Sequence, residues 1–419
     1  MSNLPVRPEF HLTPNKGWIN DPLALTYKDG QYHLFYQYVP DSTVWAPNCH
    51  WGHSTSPDLA SWTEHGVAVA PGEGDDGIWS GSIAVDGDQA TMFYTAVSVP
   101  DLGIGRVRVA TPDDSSWDRW TKGDVVVTAP EELDLIGFRD PFVFKDGDSW
   151  RMLVGTGLAG GVAAASSFSS TDLRTWTFDG LAAQRPGSET EPVWSGTLWE
   201  CPQIFEIDGR HLLVTSVWEN DVLHYVAYAV GDYTDGKFTA STWGRLTYGN
   251  SYYAPSFFRD KDDRPGLIFW MRGVLDETNG RASALSVPHT LSLDGDRLVS
   301  QPHPDLLAYA TPARPSAEPF SLPPNTAHLI EWAADIGTTL TVSQQNGISI
   351  TMEATLEALT IDDGNSTTAM PVGRGGVTVL LDGPTAEIFT ETGVFGIGVA
   401  AGGGEIVING AGAVRSLIR

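Results

Sequence analysis

Short apolar runs rich in aromatic and β-branched residues alternate with polar turn signals through the first three hundred residues. Tyr32-His33-Leu34-Phe35-Tyr36, Ala90-Thr91-Met92-Phe93-Tyr94, Trp150-Arg151-Met152-Leu153-Val154, His211-Leu212-Leu213-Val214 and Gly266-Leu267-Ile268-Phe269-Trp270 are five such runs. Each follows a turn signal: Asp29-Gly30, Asp86-Gly87, Asp146-Gly147, Asp208-Gly209 and the polar stretch Asp260 to Asp263. This grammar predicts the second strands of five hairpins. Third strands are expected at 49–54, 106–110, 162–166 and 224–229, and Asp58-Leu59-Ala60-Ser61-Trp62 returns as Asp172-Leu173-Arg174-Thr175-Trp176 farther out in the repeat. The first four turns lie 57, 60 and 62 residues apart, and the fifth follows after roughly 54. Such a period is close to that of propeller blades. No long segment shows a helical period. The pattern predicts an all-β chain with a five-bladed β-propeller followed by a C-terminal β-sandwich.

Just before each hairpin run stands a recurring segment: Asn20-Asp21-Pro22, Trp79-Ser80-Gly81-Ser82, Arg139-Asp140-Pro141, Glu200-Cys201-Pro202 and Tyr253-Ala254-Pro255. Three of the five carry an acid at nearly the same place. A radial repeat that brings Asp21, Asp140 and Glu200 to matching points gathers them around one axis.

The chain is long for a single core. The expected division is a propeller over 1–310, a linker or seam over 311–324 (marked by Thr311-Pro312-Ala313-Arg314-Pro315-Ser316) and a β-sandwich over 325–419. In the last part the strands alternate at 347–352, 377–381 and 386–389, without the acid-proline motif, so a supporting or specificity role is expected there.

Composition narrows the partners. With 52 acidic and 25 basic residues the net charge is −27 and no basic cluster interrupts it, which argues against nucleic acid, anionic membranes and polyanionic substrates. The 15 Trp, 12 Tyr and 16 Phe suit strands and also a site that stacks on sugar rings. Cys49 and Cys201 are too few for a disulfide framework. The N-terminal stretch has no apolar core of a leader peptide, so a cytoplasmic location is expected, a trimmed signal remaining an alternative.

Cleaving a glycosidic bond needs two carboxyl groups, one to protonate the departing oxygen and one to attack carbon or activate water. Asp21 is short and suits a rigid nucleophile; Glu200 is long enough to reach a leaving oxygen. Asp140 stands next to Arg139, whose charge is expected to keep it ionised for binding. The plainer account of an isolated Asp-Pro pair is a turn, but three matched acids in one repeat exceed it. A calcium cage is disfavoured, since each motif offers one acid amid aromatics. In His50-Trp51-Gly52-His53 the two histidines face opposite sides of a strand and are expected in packing roles, so no metal site is assigned. Cys201 lies next to Glu200, lacks a nearby histidine to activate it, and is read as a small polarisable neighbour of that acid.

Gly17-Trp18-Ile19-Asn20-Asp21-Pro22, Phe138-Arg139-Asp140-Pro141 and Trp199-Glu200-Cys201-Pro202 resemble the three signature motifs of glycoside hydrolase family 32, the invertases, inulinases, levanases and fructosyl-transferring enzymes. The similarity runs in order through Phe10-His11-Leu12-Thr13-Pro14, His50-Trp51-Gly52-His53, Trp79-Ser80-Gly81-Ser82 and Ala386-Glu387-Ile388-Phe389, and so covers nearly the whole chain. The resemblance implies Asp21 as nucleophile, Glu200 as acid/base and Asp140 as transition-state stabiliser, in a retaining mechanism through a covalent fructosyl-enzyme. It also implies that Asn20, Gln37, Trp45, Trp79, Ser80 and Arg139 hold the terminal fructose, with Tyr253 and Trp270 walling the pocket. No cofactor is implied. The expected activity is hydrolysis of terminal β-fructofuranosyl units of sucrose or short fructans. Alternatives are a fructosyltransferase or difructose-anhydride enzyme of the same family, and an inactive fructan-binding sensor. A fructose-containing oligosaccharide is the expected partner, and a homo-oligomer stays open. One departure stands out: Leu23-Ala24 follows the first Asp-Pro where the family usually has Asn-Gly, which leaves substrate choice open.

Overall fold

The five repeats fold into five radially arranged four-stranded blades, described here from a computed structural model that covers residues 7–315, 319–323, 326–344, 349–373, 375–399 and 404–419. Blade I is Gly17–Lys28, Gln31–Val39, His50–Ser56 and Thr63–Val69. Blade II is Gly77–Asp86, Gln89–Val97, Arg106–Pro112 and Trp120–Val127. Blade III is Leu135–Asp146, Ser149–Leu158, Val162–Ser170 and Thr177–Pro186. Blade IV is Leu198–Ile207, Arg210–Glu219, Val222–Thr234 and Lys237–Arg245. Blade V is Tyr252–Arg259, Pro265–Asp276, His289–Asp294 and Arg297–Pro302. The five-bladed propeller with its sandwich is the architecture expected from spacing.

The Asp-Gly signals work in two registers. In blades I and IV they are the two loop residues, both left-handed, with φ 51° and 84° at Asp29 and Gly30 and 52° and 75° at Asp208 and Gly209. Two positive φ angles match the twist of the flanking strands. In blades II and III the strand runs on through Asp86 and Asp146, so Gly87 and Gly147 lead the turn instead. The repeated outer pentapeptides form matching turns: Asp58 Oδ1 accepts from the Ala60 and Ser61 amides at 2.9 and 2.7 Å, and Asp172 Oδ1 from those of Arg174 and Thr175 at 2.9 and 2.8 Å.

The ring closes through a segment the sequence reading did not single out. Arg281–Leu285 pairs antiparallel with the second strand of blade V and parallel with the first strand of blade I, Gly17 facing Arg281 and Trp18 facing Ala282. First and last blades therefore share one continuous sheet.

Two further sheets follow. Ala327–Trp332, Val377–Asp382, Thr385–Thr390, Gly393–Gly398 and Gly412–Leu417 form one; Thr339–Gln344, Ser349–Ala354, Leu359–Asp362, Thr367–Met370 and Gly404–Asn409 form the other. Ile330, Trp332, Leu340, Met352, Ile361 and Val379 fill the space between them. Part of the strand expected at 347–352 lies outside the described residues. In the Pro-rich stretch Arg314–Pro315 and Phe320–Leu322 are short edge strands, one on each sheet. Among the described residues no helix is long and apolar enough to cross a membrane.

Buried charge joins sandwich to propeller. The Glu387 carboxylate, fully buried, takes hydrogen bonds from His11, from Tyr252, from the Val287 amide at 2.9 Å and from His289 Nε2 at 2.9 Å. On its other nitrogen, His11 meets buried Asp382 at 2.8 Å. Burial opposes the charged form of His11, but Glu387 and Asp382 outweigh it and raise its pKa from 6.5 to about 9. For Glu387 burial also opposes charge, and His11 with His289 overcomes it, holding the carboxyl well below the usual range.

These shifts set a pH window. The raised His11 contributes stability that is complete below pH 6.5 and is lost as pH rises through about 9. The depressed Glu387 contributes stability present above its ordinary 4.5 and lost on acidification. Glu387→Ala leaves His11 buried beside one carboxylate instead of two and is expected to cost about 3–5 kcal/mol. Urea unfolding should show that loss at pH 6.5, together with a flatter decline of stability between pH 6.5 and 9 than in the native chain.

Candidate active site

Each of the five inner strands carries one residue too many, at the recurring segment. In blade I Asn20 and Asp21 stand opposite Gln37 alone; in blade III Asp140 and Pro141 oppose Val154; in blade IV Cys201 and Pro202 oppose Thr215; in blade V Ala254 and Pro255 oppose Phe269. In blade II Ser80 is the surplus residue. A β-bulge of this kind bends its strand and re-aims its side chains. It also explains the prolines, which cannot donate to a regular ladder but are tolerated at bulges.

The bulges demand left-handed backbone at residues other than glycine: φ is 65° at Asp140, 48° at Cys201 and 43° at Ala254. Their amides leave the ladder and are taken by a side chain of the preceding blade. Asp140 donates to Thr95 Oγ1 at 2.7 Å, Cys201 to Asp140 Oδ2 at 3.1 Å, and Ala254 to Ser216 Oγ at 3.0 Å. Blade is thus tied to blade at the axis.

At one end of the axis the bulges enclose a pocket of about 520 Å³. Asp21, Asp140 and Glu200 all line it, as do the predicted Asn20, Gln37, Trp45, Trp79, Arg139, Tyr253 and Trp270. Ser80 does not line this pocket but bonds Asp21 and Gln37, which do, and it lies in a second cavity of about 400 Å³ together with Leu23 and Cys201. The sequence reading missed Trp18, Trp218, Asp221 and Leu223 as lining residues. A signal for two of them existed: Asn220-Asp221 is a hairpin turn with φ 49° and 62°, and it puts Asp221 at the rim beside Trp218.

Three donors hold Asp21. Asn20 Nδ2 gives a bond to Oδ1 at 3.1 Å, while Ser80 Oγ and, at 3.3 Å, Gln37 Nε2 give bonds to Oδ2. Asn20 and Gln37 are themselves linked at 3.0 Å, and Trp18 Nε1 donates to Asn20 Oδ1 at 3.2 Å. Burial nevertheless raises the Asp21 pKa to about 6, the nearby Glu200 adding to it and Ser80 and Asn20 opposing it. Glu200 accepts from Arg139 Nε at 2.9 Å and from the Tyr253 hydroxyl at 2.7 Å, one bond to each oxygen.

Two expectations need correcting. Glu200 is one step out of phase with the other acids: counted from the shared proline it stands at the position of Asn20, Arg139 and Tyr253, and Cys201 takes the position of Asp21 and Asp140. Arg139, for its part, pairs with Glu200 and does not keep Asp140 ionised. Burial, Glu200 and Asp21 raise the Asp140 pKa, outweighing Arg139 and the Cys201 amide. The charge of Glu200 contributes to the raised pKa of both Asp21 and Asp140. Cys201 does lie between the acids, its sulfur 3.9 Å from Asp21 Oδ2 and 3.7 Å from Asp140 Oδ2. Indoles shape the mouth: Trp45 meets Trp79 edge-on at 5.8 Å, and Trp18 meets Trp270 likewise at 5.8 Å.

The model of the glycosyl hydrolases family 32 N-terminal domain matches residues 11–302, which span every blade and all three acids. The chain belongs to glycoside hydrolase family 32. Among its family 32 relatives, a sucrose-6-phosphate hydrolase of Escherichia coli is 32% identical over 316 residues, 70% of this chain and 64% of that one. A fructan 6-exohydrolase of Beta vulgaris is 30% identical over 342 residues, 71% of this chain and 54% of that one. The chain thus spans less than two thirds of the length of these curated relatives. In fold it is similar to a Bombyx mori family 32 beta-fructofuranosidase solved with sucrose, at a TM-score of 0.83 and 24% identity over 99% of this chain and 94% of that one.

The Ser80 hydroxyl stabilises ionised Asp21, so Ser80→Ala should raise the Asp21 pKa further. We expect the acidic limb of the kcat/KM profile to move to higher pH by about one unit, the worth of one hydrogen bond to a charge. An unmoved limb would mean that this limb does not report Asp21.

Proposed function

We propose that this family 32 chain is a retaining β-fructosidase that removes terminal fructofuranosyl units from neutral fructosides such as sucrose or short fructans. The observation that carries the reading is the pairing of two unlike carboxyls in one aromatic pocket. Asp21 is fixed by three donors and aimed by a bulge, which suits attack on an anomeric carbon. Glu200 is reached by Arg139 and Tyr253 and is slightly exposed to the pocket, which suits proton transfer to and from a sugar oxygen. Asp140 takes the part of a binding group. Fructose hydroxyls donating to it favour its ionised form. Asn20, Gln37 and Arg139 supply further polar contacts, and Trp45, Trp79 and Trp270 supply ring faces.

Relatives named for a phosphorylated substrate and relatives named for fructans both match, so the pocket's charge has to choose. Arg139 is the one cation among the lining residues described, and Glu200 already engages it. Asp221 at the rim adds a fourth carboxylate. A phosphate entering this pocket meets acids without a free cation, which favours neutral sugars.

Product analysis on sucrose, inulin, levan and sucrose 6-phosphate tests the reading. Free fructose is expected from a neutral substrate, with Asp21→Asn and Glu200→Gln each lowering kcat by at least about 10³-fold. Near-native turnover in either variant would overturn the roles. Because its pKa is raised on folding, ionised Asp21 destabilises the fold as pH rises from 3.8 through about 6. Asp21→Asn should therefore melt no lower than the native chain at pH 7, which separates lost chemistry from lost structure. Asp221→Asn should raise the ratio of kcat/KM on sucrose 6-phosphate to that on sucrose, and an unchanged ratio would remove Asp221 from substrate selection.

A further inference from the structure

Away from the pocket, blade I brings three histidines to one side of its outer strands. His33 lies on the second strand, His53 on the third and His65 on the fourth, in register through the pairs His33–Thr55, Phe35–His53 and His53–Gly66. A loop of blade II, closed by the Asp113 amide on the Arg119 carbonyl at 2.9 Å, lays Asp118 against them. Asp118 Oδ1 is 3.1 Å from His53 Nδ1 and 3.1 Å from His65 Nδ1. The three ligand atoms all lie within 4.8 Å of one another.

We propose that His53, His65 and Asp118 form a binding site for a divalent transition cation, zinc being the best fit. Tetrahedral zinc with bonds of 2.0–2.1 Å places its ligand atoms about 3.3 Å apart, close to both Asp118 contacts. Two imidazoles and a carboxylate suit zinc and its neighbours, whereas calcium asks for six to eight oxygens. The far nitrogen of each ligand ring already has an acceptor within reach. His53 Nε2 lies 3.1 Å from His33 Nδ1, and His65 Nε2 lies 2.8 Å from Thr55 Oγ1. A proton held on each Nε2 leaves the Nδ1 lone pair for the metal, the arrangement that outer partners of a metal histidine impose.

Rigidity and access are divided between the ligands. His53 is fully buried and stacks on Phe35 at 4.6 Å and 14°, which fixes its ring. The Asp118 side chain is 43% exposed and that of His65 29% exposed, which opens the fourth position to water. The cation would pin a blade II loop to the rim of blade I, a junction otherwise held by side-chain contacts. The site has no part in the fructoside chemistry proposed above, so the two readings stand or fall separately.

Titration calorimetry of the metal-stripped full chain with zinc chloride is the test, with calcium chloride as control. One equivalent of zinc is expected to bind and to raise the melting temperature. Cobalt(II) in its place should give the strong visible absorption of a four-coordinate N/O site. Asp118→Asn and His65→Ala alter half-exposed side chains and should fold, yet weaken zinc binding by more than about tenfold; Thr55→Val should weaken it by about tenfold. No zinc binding by the native chain, or the same affinity in both ligand variants, would overturn the proposal.

Discussion

The surplus residue in every inner strand is the constraint on which the rest of this molecule depends. A regular antiparallel ladder sends alternate side chains to the two faces of a blade. The bulge breaks that alternation at the axis and frees one backbone amide in blades III, IV and V. Left-handed backbone at Asp140, Cys201 and Ala254 costs on the order of 1–3 kcal/mol each. It persists because the freed amides are bound by Thr95, Asp140 and Ser216 of the preceding blade. The strain at these bulges is therefore held by the same bonds that tie blade to blade, and Asp140 belongs to both systems at once.

The electrostatics follow from that crowding. Packing three carboxyls into one desolvated pocket opposes ionisation, as the raised Asp21 and Asp140 show. One arginine, one tyrosine hydroxyl and a handful of amides compensate without neutralising the set. That crowding keeps Asp21 and Asp140 harder to ionise than free carboxyls. Its cost appears as lost stability, a common signature of functional sites.

Much of this was legible in the chain. Four Asp-Gly turns, the polar stretch Asp260 to Asp263 and the apolar runs located the first hairpin of each blade, and the period gave the number of blades. The acids could be named from their neighbours. The offset of Glu200 could be read as well, since it stands two residues before its proline and Asp21 and Asp140 stand one before theirs; the bulge at Cys201-Pro202 could not, because one surplus residue is invisible to alternation. Nor does adjacency reveal partners, so Arg139 was matched with the acid beside it in sequence and not with the one across the pocket. Asp221 escaped notice because a turn residue is ordinarily read as a turn and nothing more. Arg281–Leu285 carries no unusual composition, and its ring-closing role comes from where blade V delivers it.

The contact between His11 and Glu387 joins residues 376 positions apart. A ribosome releases the histidine hundreds of residues before its carboxylate partner exists, and the closing strand at Arg281–Leu285 also comes late. Until Arg281–Leu285 has been made, the first strand of blade I lacks the parallel partner that closes the ring. Native assembly can be completed only after the last strands emerge, so the vulnerable interval for aggregation or proteolysis is the time of translation itself.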